Sequence, residues 1–96
     1  MKDIGLDLLA TKIMGWKRRN AAWRPHEDIA HAFEVVEKLH QKNIWLRSLD
    51  YNPYMKKWTV CFYCVDRLPR LSVEAADTPA EAICLAALAA VEKEGE

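Results

Sequence analysis

Apolar residues recur at helical spacing at Ile4, Leu8, Leu9 and Ile13, which predicts a first helix of roughly three turns. Asp3 stands where an N-cap carboxylate accepts the free N–H groups of the first turn. Gly15 stands where a left-handed residue ends the helix, and it lets Trp16 fold back onto the preceding turn. The pattern then loses its period from residue 16 to residue 25, where Asn20-Ala21-Ala22 and Pro25 predict an irregular connector. Helical spacing resumes from about Glu27. Ile29, Ala32, Phe33, Val36, Leu39 and His40 are expected on one face, with Glu34, Glu37, Lys38 and Gln41 on the other. Glu27 and Asp28 suit the positive end of this helix, Lys38, His40 and Lys42 its last turn, and Asn43 its stop.

The period changes in the middle third. Ile44 to Tyr51 is rich in aromatic and branched residues, Asn52-Pro53 signals a turn, and Lys57 to Val65 alternates again, so a hairpin is predicted. On its second strand Trp58, Val60, Phe62 and Cys64 share one face, while Thr59, Cys61, Tyr63 and Val65 share another that is nearly as apolar. A strand apolar on both sides is expected to be covered on both. Leu68-Pro69 breaks the run, and Leu71, Val73 and Ala75 predict a third, half-buried strand.

The last helix has the clearest start: Thr78 as N-cap, Pro79 in the first helical position, and Glu81 completing a capping box. Ile83, Cys84, Ala87, Leu88 and Val91 form its stripe, thinned by alanines that permit close packing on a sheet. The element order is α-α-β-β-β-α. The expected class is α+β, a layered α/β/α sandwich around a three-stranded antiparallel sheet.

Composition narrows the picture. The 96 residues, 51% of them apolar, suffice for one core, so residues 1–96 are expected to be a single domain. Formal charge is zero, so no global field favours nucleic acid or membrane. Its distribution is uneven: Lys12, Lys17, Arg18, Arg19 and Arg24 follow one another with no acidic residue between them. Glu74, Asp77, Glu81, Glu92, Glu94 and Glu96 crowd the other end. Met1-Lys2-Asp3-Ile4 does not begin a secretory leader, and Ala82 to Val91 is too short to span a bilayer. A cytoplasmic location in the host cell is therefore expected, with Cys61, Cys64 and Cys84 as free thiols.

Met14-Gly15-Trp16, then Trp23-Arg24-Pro25 with Asp28-Ile29-Ala30, and finally Asp77-Thr78 with Ala82-Ile83-Cys84 resemble the phage ABA-sandwich domain family of small phage and prophage proteins. The resemblance touches most of the chain, and its sharp motifs cover about a third of it. It departs at His26-Glu27, where such proteins often carry Ser-Thr after the proline. The resemblance implies a sandwich fold and a phage context, and it implies no activity.

The candidate chemistries mostly fall to spacing. His26 and His31 are five apart, roughly 140° out of phase on a helix, whereas a zinc site of the His-Glu-x-x-His kind needs them one turn apart. Cys61 and Cys64 have CxxC spacing but lie on a predicted strand, where residues three apart point to opposite faces. No metal or cofactor is expected. Gly5, Gly15 and Gly95 are isolated, so no phosphate loop is formed. Asp28 and His31 sit one turn apart, as surface helix pairs usually do, and no nucleophile is flanked by a base, so no enzyme is expected. The α-β-β-β-α order also matches double-stranded RNA-binding domains, but Asp77-Thr78-Pro79-Ala80-Glu81 would repel phosphate where that mode needs cations.

The connector remains. Trp16, Lys17, Arg18, Arg19, Trp23 and Arg24 combine the residue types in which interfaces concentrate binding energy. The same residues also suit a solvated loop anchored by its tryptophans, or stacking on bases. The leading expectation is a non-enzymatic phage or prophage accessory protein that binds a host or phage protein through this connector. The alternative is a binder of nucleic acid or of a phosphorylated signalling nucleotide, with an anti-defence role. Trp45, Tyr51, Tyr54 and Trp58 form a second aromatic group, expected to serve core packing or a homodimer face.

Overall fold

Gly15 enters the left-handed region at φ +77°, and the first helix, α1 (Leu9–Ile13), ends there as its sequence requires. A computed structural model gives the fold and describes residues 8–17, 22–64 and 72–94. The expected Asp3 cap and the apolar residue Ile4 lie outside the described residues. Within them α1 is wound more widely than an α-helix. The Met14 N–H donates to the Leu9 carbonyl at 3.1 Å, five residues back, and the Trp16 N–H to the Ala10 carbonyl at 3.0 Å. This widened turn buries Leu9, Ala10 and Ile13 and folds Trp16 back against the core.

Helix α2 spans Ile29–Gln41 and starts later than the charge pattern suggests, because Asp28 is itself the cap. Its backbone is extended and its carboxylate accepts the Ala30 N–H at 2.9 Å. Asn43 ends the helix at φ 65°. The face that α2 buries is Ala32, Val35, Val36 and Leu39, whereas Ile29 and Phe33, expected inside, are 42% and 39% exposed. Both stripes are apolar and share Ala32, Val36 and Leu39. The packing of α2 against β1 and the last helix selects the one containing Val35.

The sheet has strands β1 (Ile44–Asn52), β2 (Lys57–Cys64) and β3 (Ser72–Ala76) in the order β1-β2-β3, antiparallel throughout. Register pairs Ile44 with Cys64, Leu46 with Phe62 and Leu49 with Val60 on one face, with a bulge at Arg47. That face is the core side, where Ile44, Val60 and Phe62 are fully buried. On the other face Cys61 is buried while Thr59 and Tyr63 are half-buried. Val65 and Leu71 lie outside the described residues.

Helix α3 (Pro79–Glu94) packs on β2, β3, α2 and α1, which is why it is nearly all small and apolar. Ala82, Ile83, Cys84, Ala86, Ala87 and Ala90 have no exposed surface, and their short side chains let four neighbours approach at once. The architecture is α+β, an open three-stranded antiparallel sheet flanked by helices, as an α/β/α sandwich requires. No helix among the described residues is long and apolar enough to cross a membrane.

Two polar devices fix the start of α3. The Glu81 N–H donates to Thr78 Oγ1 at 3.2 Å, and the Lys57 ammonium pairs with the Asp77 carboxylate, tying the turn end of the hairpin to the helix cap. Each partner stabilises the other's charge: the hydrogen bond and the charge of Asp77 raise the Lys57 pKa, and those of Lys57 lower that of Asp77. Thr78→Ala frees one N–H of the first turn and is expected to cost about 1 kcal/mol. Equal denaturant midpoints for variant and parent would show that this bond adds nothing.

Candidate functional site

The connector is built from its C-terminal end. Pro25 is fully buried and Trp23 is 4% exposed, so the Trp-Arg-Pro step is clamped into the core on both sides of Arg24. The Arg24 carbonyl accepts the N–H groups of Glu27 at 3.1 Å and Asp28 at 2.8 Å, closing the turn that leads into α2. The Arg24 N–H donates to His31 Nδ1 at 3.0 Å. With both backbone groups of Arg24 engaged, its side chain leaves the surface in a fixed direction.

Outside, that side chain does not stand alone. Arg24 Nε donates to Glu27 Oε2 at 2.6 Å, with the side chains 46% and 54% exposed. The hydrogen bond from Arg24 is the main cause that lowers the Glu27 pKa, and the same bond raises that of Arg24. The pair therefore holds above the ordinary glutamate range and is lost as acid protonates Glu27. His26 Nε2 stands 3.5 Å from the other Glu27 oxygen. Glu27 thus cancels much of the local field of Arg24; Lys12 and Lys17 are exposed.

Trp16 and Trp23 meet edge to face, with ring centroids 4.8 Å apart and planes at 70°. Such a contact contributes about 0.5–1.5 kcal/mol beyond the area it buries. It also divides the roles of the two rings. Trp23 is an anchor inside the fold, whereas Trp16 is half-buried and keeps an accessible edge. Of the six connector residues singled out by sequence, Trp16, Lys17 and Arg24 reach the surface. Arg18 and Arg19 lie outside the described residues. Trp23 Nε1 and His26 Nδ1 are buried with no hydrogen-bond partner.

The other candidate groups are separated or occupied. Asp28 and His31 are neighbours, with Nε2 3.8 Å from Oδ2, yet Asp28 Oδ1 caps α2 and His31 Nδ1 accepts the Arg24 N–H. Accepting at Nδ1 places the imidazole proton on Nε2, facing the carboxylate. Each group thus carries one structural hydrogen bond. No cluster of three metal-ligating side chains occurs among the described residues. Cys61 pairs across the sheet with Ser48 and Cys64 with Ile44, which puts the two sulfurs on opposite faces. All three thiols are free and buried, and burial, with a smaller contribution from Glu81, pushes Cys84 up to about 12. Such a thiol is inert at neutral pH.

The second aromatic group splits in two. Tyr51 and Trp58 contact each other across the hairpin at 5.4 Å, while Trp45 stacks on His40 of α2 at 4.6 Å and donates from Nε1 to Asn43 Oδ1 at 3.0 Å. Sequence alone does not join His40 to Trp45, since their contact depends on the left-handed turn at Asn43. Nor does it show the cleft of about 360 Å³ beside the bulge, lined by Leu46, Arg47 and Tyr63.

A sequence model of the phage ABA sandwich domain matches residues 7–88 of the chain. Comparison with curated proteins and with solved structures gives no match.

Proposed function

Because the chain belongs to the phage ABA sandwich domain family, we propose that it is a small non-enzymatic accessory protein of phage or prophage that binds a host or phage protein through its connector. The observation that carries this reading is the anchoring of the connector. A buried Trp23 and Pro25 hold the half-buried edge of Trp16, the exposed Lys17 and the directed Arg24 side chain on a fixed frame. A rigid frame reduces the ordering cost of association, and tryptophan and arginine are the residues that most often dominate interfaces. A phosphate ligand is served less well, because Glu27 already occupies Arg24 and Asp77 occupies Lys57.

Changing Lys17, Arg18 and Arg19 together to Ser tests the reading. Exposed charges contribute within about 0.5 kcal/mol to stability, so the variant is expected to fold as the parent does. Its capture of specific partners from host lysate is expected to fall at least about tenfold, equivalent to 1.4 kcal/mol. Nuclease treatment should leave the parent's capture unchanged, and rising salt should weaken it only shallowly. A steep salt dependence would instead indicate phosphate contacts. A folded triple variant that recovers every partner at unchanged affinity would reduce the connector to a solvated loop.

A further inference from the structure

The two edges of the sheet are unlike. β3 has five residues and carries the partly exposed Glu74, as a short, charged edge that resists pairing does. β1 has nine residues, pairs only with β2, and has no strand beyond it among the described residues. Its exposed side chains are two aromatic and two charged, Trp45 and Tyr51 with Arg47 and Asp50. Trp45 is 37% and Tyr51 49% exposed, and the loop that follows adds Tyr54 at 96% and Met55 at 57%. That loop is held in shape: Asn52 Oδ1 accepts the N–H groups of Tyr54 at 3.0 Å and Met55 at 3.2 Å. An ordered loop that projects a tyrosine almost wholly into water serves no packing need of the single chain.

We infer that β1 pairs with β1 of a second copy of this chain, antiparallel about a two-fold axis, joining two sheets into one of six strands. The placement of the exposed apolar groups carries the inference. Trp45 stands at the start of β1, while Tyr51, Tyr54 and Met55 stand at its end, about 30 Å of strand in all. A two-fold axis normal to the sheet exchanges the two ends and keeps each face: Trp45, which pairs with Tyr63, lies on the outer face, and Tyr51, which pairs with Trp58, lies on the core face, so each end of one copy covers part of the other end of its partner. Tyr51 and Leu46 lie on the same sheet face, so Tyr51 of one copy arrives beside Leu46 of the other. Tyr54 and Met55 arrive beside Trp45 and the cleft lined by Leu46, Arg47 and Tyr63.

Charge disfavours one register. With Leu49 on the axis, Ser48 lies opposite Asp50, whereas moving the axis to Asp50 would oppose two carboxylates. The bulge at Arg47 bounds the regular run from Ser48 to Asn52 and so limits slippage. The four exposed apolar side chains offer roughly 400–500 Å² per copy, over half of the roughly 800 Å² per partner of a standard interface. The strand backbone and its flanking polar groups supply the rest. This surface is separate from the connector and does not depend on it.

Sedimentation of the purified full chain up to several hundred micromolar tests the inference. The parent is expected at twice its 11.1 kDa mass. Tyr51→Lys combined with Tyr54→Ser should raise the dissociation constant at least about 100-fold, because the axis presents each change twice. Tyr54→Ser with Met55→Ser removes only loop side chains that the core does not use. It is expected to raise the constant at least about tenfold, and it decides the matter if Tyr51→Lys disturbs Trp58. A monomeric parent, a dimer whose constant the loop variant leaves unmoved, or an open series of larger species would overturn the inference.

Discussion

Trp23→Ala is expected to cost about 3–5 kcal/mol of folding stability, the range for truncating a buried aromatic side chain. The residue is named among the interface-forming types, yet it is 4% exposed and belongs to the core cluster with Leu9, Ile13 and Met14. Truncation removes the edge-to-face contact with Trp16 and leaves a cavity beneath the connector. A domain of this size has about 5–15 kcal/mol in total, so the variant should unfold at markedly lower denaturant. Trp23→Phe separates the parts of the effect. It keeps a ring against Trp16 and removes a buried N–H that has no partner, a group that itself costs about 1–3 kcal/mol. The lost ring volume and the relieved N–H oppose each other, so the net change should stay below about 1.5 kcal/mol. Partner capture should survive Trp23→Phe if the ring is an anchor. A Trp23→Ala variant as stable as the parent would show that the indole faces water, and the anchored-connector reading would fail with it.

The parts of the fold that were legible in the sequence are those set by local backbone chemistry. Gly15, Asn43 and Thr78 stand where a left-handed or capping residue is needed, and each occupies that place. The hairpin was legible for the same reason, through Asn52-Pro53 between two alternating runs. What was not legible depends on neighbours. The wide winding of α1 has no signature in Leu9-Ala10-Thr11-Lys12-Ile13, and the buried face of α2 is one of two overlapping apolar stripes. The candidate site was legible in location and less so in roles. Trp16 and Trp23 are the same residue type in one connector, and only the burial of Pro25 beside Trp23 distinguishes the anchor from the exposed edge. Likewise Arg24 reads as a free cation until the turn brings Glu27 back to it.

The largest ambiguity was β2, where alternation gives two apolar faces and no ground for choosing the core one. Register resolves it. Phe62 stands on the central strand opposite Leu46, fully buried, and is the largest of the fully buried side chains. Tyr63, the next residue, points the other way and is half-buried. Phe62→Ala is therefore expected to cost about 3–5 kcal/mol, the range for truncating a fully buried aromatic side chain. The alanines that bring α3 close cannot extend into the cavity, and the sheet cannot follow without breaking its pairing with β1 and β3. Tyr63→Ala removes a ring already partly in water and is expected to cost less than half as much. Chemical denaturation of the two variants beside the parent compares the faces directly. Equal losses would mean that both faces are packed alike, and a larger loss at Tyr63 would place the core on the side now assigned to Cys61.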